Sequence, residues 1–422
     1  MTLLKLLQIT LGFGLSLIFS SPFAAPRVPG ADSEVLERLP WRTADKRART
    51  LIELRAAAAK SPSDPAPATQ LAQHYFDLAM AIGDPRYIGY AEAVVSRFAT
   101  AMPANMRVVR GQLWQYRHNF EGALAEFERA LATDPGLASA HAWRGAIYLV
   151  QADYAAARKE CNALKRLDRA TLFGACMGLA QAYGGQLAAG YTTLLQALQA
   201  TTDDDNRLWL LTHLGEVAVW RNQPELATRH FLAALALGRD DGYLLAAWSD
   251  FLLDQGQPAK VVALLAQWES SDGLLLRLTE AEAALKLPAA KKHIQMVEDR
   301  FDAARLRGDT THRAEEARFR VRLRNDARAA VQLALENYRV QREPRDARIL
   351  LEASIAANDP ASAQMARDWL ASSGFEDPRI QALGRASARA RTDSLSTPLS
   401  PPRTTPPTKP DANPGTTKEP GK

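Results

Sequence analysis

Residues 111–135 read GQLWQYRHNFEGALAEFERALATDP. Gly111, Trp114, Ala123, Phe127, Ala130 and Pro135 are its spaced small and large positions. The spacing predicts two short helices packed as a hairpin, with small residues letting the backbones approach and large ones filling the space opposite. About one repeat of 34 residues later, Gly145, Tyr148, Ala157 and Cys161 fall at the same relative positions. Gly215, Ala227, Phe231 and Ala234 restate the pattern further on.

The pattern resembles the tetratricopeptide repeat family: Gly and an aromatic on the first helix, Ala, Phe and Ala on the second, then a closing Pro. The resemblance implies an all-α, right-handed superhelical solenoid of antiparallel helix hairpins, a fold that presents a binding surface. The expected solenoid covers 43–389, with its clearest repeats at 104–137, 138–172, 173–207, 208–241 and 242–272. Gly184, Gly185 and Gln186 read as a shortened turn in the third repeat, and Arg239 replaces the closing Pro of the fourth. Beyond Asp272 the pattern weakens, although helical spacing persists through Trp369.

Composition agrees with helix. Ala and Leu dominate, Arg outnumbers Lys, and β-branched residues are sparse among the 422 residues. The net charge of +5 is spread along the chain with no basic block, so no nucleic-acid partner is expected. One segment conflicts: Phe319, Val321 and Leu323 alternate with Arg318, Arg320, Arg322 and Arg324, which is strand periodicity. A lone strand in a helical array leaves its edge unpaired. Helix is therefore expected there, with the arginines spread over a surface that Glu315 and Glu316 partly neutralise.

The ends differ from the middle. Lys5, the apolar run from Leu6 to Phe19 and the small residues ending at Ala25 describe a secretory signal peptide over 1–24. An uncleaved inner-membrane anchor is the alternative, and membrane contact is expected only in that case. A polar linker follows over 25–42, and a Pro/Thr-rich tail expected to be disordered spans 390–422. The expected compartment is periplasmic or extracellular.

No catalytic or metal-binding set is legible. The seven histidines form no His-x-x-x-His pair and none stands at ligand spacing from a cysteine. Asp203, Asp204 and Asp205 suit helix capping better than calcium. No phosphate loop or nucleophile elbow is present. No cofactor is expected. Cys161 and Cys176 stand at equal distances from a turn near Asp168, which puts them at one height across two helices. Either a disulfide or two buried thiols fits that placement.

In the tetratricopeptide family the first helix of each hairpin lines the concave face. By position this implies Gln112, Gln115, Tyr116, Trp143, Gln181, Trp209, His213, Glu216, Trp220, Tyr243, Asp250 and Asp254 as the partner-binding wall. The wall is aromatic and acidic and holds no Lys or Arg, so the family's basic clamp for a terminal carboxylate is not expected. The resulting expectation is a non-enzymatic scaffold for a protein or peptide, in a role such as envelope assembly. The alternative is the superhelical part of a cell-wall-acting system resembling lytic transglycosylases.

Overall fold

A computed structural model describes Ala31 and residues 46–395, with side chains from 49 to 388. The expected signal peptide, the linker and most of the expected tail lie outside the described residues. The chain divides into two units at Thr50/Leu51, and everything that follows, residues 46–50 apart, concerns the second.

Among the described residues the secondary structure is helical, with no strand. After α1 (Lys46–Lys60), helices pair as α2 (Pro65–Ile82) with α3 (Arg86–Ser96), α4 (Ala104–Tyr116) with α5 (Phe120–Thr133), and α6 (Ala138–Val150) with α7 (Tyr154–Arg166). The series continues with α8 (Ala170–Tyr183) and α9 (Leu187–Gln199), α10 (Asp204–Trp220) and α11 (Pro224–Leu235), and α12 (Gly242–Asp254) and α13 (Pro258–Leu265). It ends with α14 (Asp272–Ala284) and α15 (Ala289–Leu306), α16 (Arg313–Arg322) and α17 (Ala327–Tyr338), α18 (Pro344–Ala356) and α19 (Gln364–Ser373), and a closing α20 (Pro378–Leu395).

One turn joins the two helices of each hairpin. A residue with positive φ ends the first helix: Gly83, His118, Ala152, Gly185, Asn222, Gly256, Lys286, Asn325 and Asn358. In most of them the next amide donates five residues back, as Asn119 N to Trp114 O (2.9 Å), Gln186 N to Gln181 O (2.9 Å) and Asp359 N to Ser354 O (2.9 Å). This is a capping arrangement that satisfies helix-end carbonyls. The turn at Gly184–Gln186 is thus of the same kind as its neighbours rather than a shortened one.

Inside the hairpins the small–large pairing is physical. A side chain on Gly111 would overlap the Phe127 ring, and one on Gly215 would meet Phe231 at 2.8 Å. Phe127, Phe231, Ala123 and Ala227 are completely buried. The chain is an all-α, tetratricopeptide-like repeat array.

The array coils back on itself. The end of α2 reaches the start of α12, where a side chain on Gly242 would lie 3.6 Å from Met80 O. The late helices also meet the early ones across the inner wall. Arg342 N donates to Val150 O (2.7 Å), Leu187 N to Glu376 Oε2 (2.8 Å) and Trp369 Nε1 to Tyr154 OH (2.8 Å). One apolar core contains Leu149, Tyr183 and Leu214 from the early helices with Leu350, Trp369, Phe375 and Ile380 from the late ones.

Candidate binding site

The wall formed by the first helices of the hairpins carries a continuous line of ions. Residues four apart lie on one helical face, so Asp250 and Asp254 on α12 point the same way, as do Arg318 and Arg322 on α16. Asp250 accepts from Arg277 of α14 (2.7 Å) and from Arg318 (2.7 Å). Arg318 also grips Glu280 (2.6 Å), which lies 3.4 Å from Arg322. Arg322 donates to Glu352 of α18 (2.7 Å), Glu352 accepts from Arg348 (2.7 Å), and Arg348 donates to Asp254 (2.6 Å). Arg379 of α20 closes the line on Asp254 (2.8 Å) and Asp377 (2.9 Å). Burial alone would raise the Asp250 carboxyl, but the Arg277 and Arg318 charges outweigh it and hold Asp250 well below the usual carboxylate range. The Arg318 guanidinium is held well above its ordinary value by Asp250 and Glu280, against the cost of its own burial.

Beside this ladder lies a cavity of about 350 Å³, lined among others by Gln115, Tyr116, His118, Tyr243, Asp250, His312, Glu315, Gln341 and Arg345, with the exposed Met80 also on its wall. A smaller one of about 120 Å³ shares Tyr243, Asp250 and Arg345 and adds Tyr183, Glu216 and Trp220. Burial pushes the Tyr116 hydroxyl up to about 12, with Asp309 adding to the effect. Burial takes the His118 ring down to about 4, so this ring is neutral at physiological pH. His118 is also the positive-φ residue of its turn (φ 57°), which turns it off the end of α4. Asp346 is pushed up to about 7 by burial and by Glu343, although it accepts from Asn337 Nδ2 (2.9 Å) and Glu343 N (3.0 Å).

The residues expected on the inner wall do not share one fate. Tyr116, Tyr243 and Asp250 line the larger cavity, and Glu216 and Trp220 the smaller. Glu216 accepts from His213 Nδ1 (2.7 Å) and from Tyr243 OH (3.1 Å). His213 is buried under the Trp209 ring (centroids 4.0 Å), and Trp209 is exposed. Trp220 packs edge-on against Tyr183 and Phe375, so a late helix connection covers it. Trp143 packs edge-on against Phe76, and Gln181 accepts from Thr193 (2.8 Å). Gln112 is buried, with its Oε1 unpartnered. The late helices thus cover part of a wall whose positions suggested a continuous free groove.

Two further expectations are decided. Residues 318–322 are helical, but their arginines are not spread over a surface: Arg318 and Arg320 are largely buried and every arginine from 318 to 324 that the alternation contains is ion-paired. The acidic wall does meet cations, supplied by α14, α16, α18 and α20 rather than by its own positions. Cys161 and Cys176 form a disulfide, with their Cα atoms 5.5 Å apart. Among the described residues no group of three or more His, Cys, Asp or Glu could hold a metal ion, and no helix is long and apolar enough to cross a membrane.

No protein-family model matches the sequence, and no curated protein does. Among solved structures the chain is similar to a tetratricopeptide repeat protein from Parabacteroides merdae, at 14% identity and a TM-score of 0.39 over 56% of this chain and 86% of that one. It is also similar to yeast Tom70, at 13% identity and a TM-score of 0.43 over 84% of this chain and 80% of that one. A third is the human IFIT1 dimer with m7Gppp-AAAA, at 14% identity and a TM-score of 0.39 over 82% and 87%. At these scores the tetratricopeptide-like assignment rests on the repeated hairpins themselves.

Proposed function

We propose that this protein is an exported, non-enzymatic repeat scaffold that receives a short segment of a protein or peptide partner in its central cavity. The observation that carries the reading is the convergence of Tyr116 of α4 with Tyr243 and Asp250 of α12, from two hairpins far apart in the sequence, on one cavity of about 350 Å³. That volume falls within the range of ligand pockets, about 300–1,000 Å³, and admits a few residues rather than a long helix. Aromatic side chains beside polar ones give contact area at low entropy cost. Export is supported by the charge and apolar pattern of 1–24 together with the Cys161–Cys176 disulfide, since such bonds persist in oxidising compartments. The periplasm and a role in envelope assembly are the setting we favour.

Crosslinking capture from the native envelope tests the reading, with wild type compared to Tyr116→Phe/Tyr243→Phe and to Trp209→Ala. Loss of a specific captured protein in the cavity variant, with retention in Trp209→Ala, is expected. Equal capture by wild type and the cavity variant contradicts the cavity as the site. N-terminal sequencing of the mature chain tests export: a start near Ala25 is expected, and a start at Met1 contradicts cleavage.

A further inference from the structure

The ionisable groups around the cavity differ in how completely they are paired. Asp250 and Asp254 each hold two arginines, and Arg277, Arg318, Arg322 and Arg348 are each bound to carboxylates. Arg345 donates to Glu343 (2.7 Å) and stands 5.8 Å from the Tyr243 ring centroid. Glu315 is different. It lines the cavity, and its carboxylate makes no hydrogen bond or ion pair with any other described residue. As a first-turn residue of α16 it benefits from the helix dipole, which explains why a charge is tolerated there but leaves its outer oxygen lone pairs unused. Burial alone would raise this carboxyl, yet His312, Arg345 and Arg277 lower it, so it is ionised at neutral pH.

Five arginines share this lining, and each is held by a carboxylate other than Glu315: Arg277 by Asp250, Arg318 by Glu280, Arg322 by Glu352, Arg345 by Glu343 and Arg348 by Asp254. The uncharged groups beside Glu315 suit a cation. Tyr116 presents a ring and, being protonated up to about pH 12, a neutral hydroxyl. His118 is uncharged above about pH 4 and adds no repulsion. Gln115 and Gln341 offer amide oxygens with no side-chain partner of their own. A carboxylate, a ring face and amide oxygens together match an ammonium or guanidinium group, which has only donors to offer and is attracted to ring faces.

We infer that the cavity binds a cationic group, an alkylammonium or guanidinium, on Glu315 and Tyr116. The inference rests on the cavity being the partner site and names the chemistry that the partner brings: a lysine or arginine side chain of a peptide. A free polyamine has the same chemistry.

Calorimetry on the full mature chain tests it with three probes: an acetylated tripeptide amide with a central lysine, the same peptide with norleucine, and spermidine. Saturable binding of the lysine peptide is expected, with at least about tenfold weakening by Glu315→Gln and by the norleucine change. Tighter binding of spermidine than of the peptide would assign the site to a free polyamine and overturn the peptide source while keeping the cation. Equal binding by wild type and Glu315→Gln, preference for norleucine, or no saturation of either cationic probe up to about 10 mM overturns the inference. Thermal melts of Glu315→Gln establish that it is folded, and Glu315→Asp, which keeps the charge, is expected to recover part of the binding. If envelope capture still depends on Tyr116 and Tyr243 while Glu315→Gln captures normally, the cavity reading stands and the cationic class fails.

Discussion

The early and the late hairpins use charge differently. In the early ones an ion cluster stays inside a single hairpin. Glu126 of α5, fully buried, is clamped by Arg107 and Arg110 of α4 and by Arg129, and the same positions one repeat on hold Glu160 with His141 and Arg144. In the late ones the ions reach across hairpins: Asp254 meets Arg348, 94 residues away, and Arg379, 125 residues away. Local ion pairs repeat with the hairpin and support a modular array. Long-range ones join non-adjacent turns of the coil and bring the late helices against the early wall. The comparison teaches that one repeat architecture can keep its ion pairs inside a hairpin or use them to tie non-adjacent hairpins together.

Several changes would break or sharpen this contrast. The largest loss is expected from Phe127→Ala, which empties the site over Gly111 and is expected to cost about 3–5 kcal/mol in urea unfolding. Loss under about 1 kcal/mol would mean that the early hairpins are not held by the small–large pairing. Next comes the ladder. Glu280→Gln removes one of the two carboxylates that hold a largely buried Arg318 and is expected to cost about 3 kcal/mol. A Glu280→Leu/Arg318→Met double variant is expected to recover most of that loss, because it leaves no unpaired buried charge. A similar size, about 3 kcal/mol, is expected for removing the disulfide by Cys161→Ser/Cys176→Ser, given its separation of 15 residues. A thiol titration of the denatured, non-reduced protein that finds two free thiols would contradict the bond.

The pH dependence separates two acids of opposite sign. Asp250 is held below its ordinary value, so the folded chain binds fewer protons; its contribution is fully present above about pH 4 and is lost as pH falls. Asp346 is raised to about 7, so the folded chain binds more protons and stability falls as pH rises from about 4 to about 7. The advantage of wild type over Asp250→Asn is thus expected to shrink in acid. The stability of wild type relative to Asp346→Asn is expected to fall between pH 5 and pH 8. Unfolding curves at several pH values that show either trend reversed would refute the corresponding assignment. The smallest effect is expected at Ala152, whose φ of 61° strains a β-carbon: Ala152→Gly is expected to stabilise by about 0.5–1 kcal/mol, read from the melting midpoint.

The same contrast explains what was legible in the sequence. Gly111 with Phe127 and Gly215 with Phe231 are close in sequence and recur, so periodicity reveals both the helices and their packing. Cys161 and Cys176 flank one turn, and symmetry about Asp168 was enough to place them together. The alternating arginines after Glu316 gave a misleading period, because each answers a carboxylate on a different helix: Arg318 to Asp250 and Glu280, Arg320 to Glu298, Arg322 to Glu352. No local pattern shows such pairings. Tyr116, Tyr243 and Asp250 were legible as inner-wall positions, but Glu315, Gln341 and Arg345 join the cavity only because the coil closes. The i, i+4 spacing of Asp250/Asp254 and Arg318/Arg322 was the one available signal of a charged seam.

The central claim is that late helices rest against the early inner wall, and one amide reports it directly. Arg342 lies between α17 and α18, and its N–H has Val150 O of α6 as its partner. Residue-resolved hydrogen exchange is predicted to show Arg342 protected to a degree comparable with the amides at the end of α6. Rapid exchange at Arg342, with α6 and α18 themselves protected, would contradict the account.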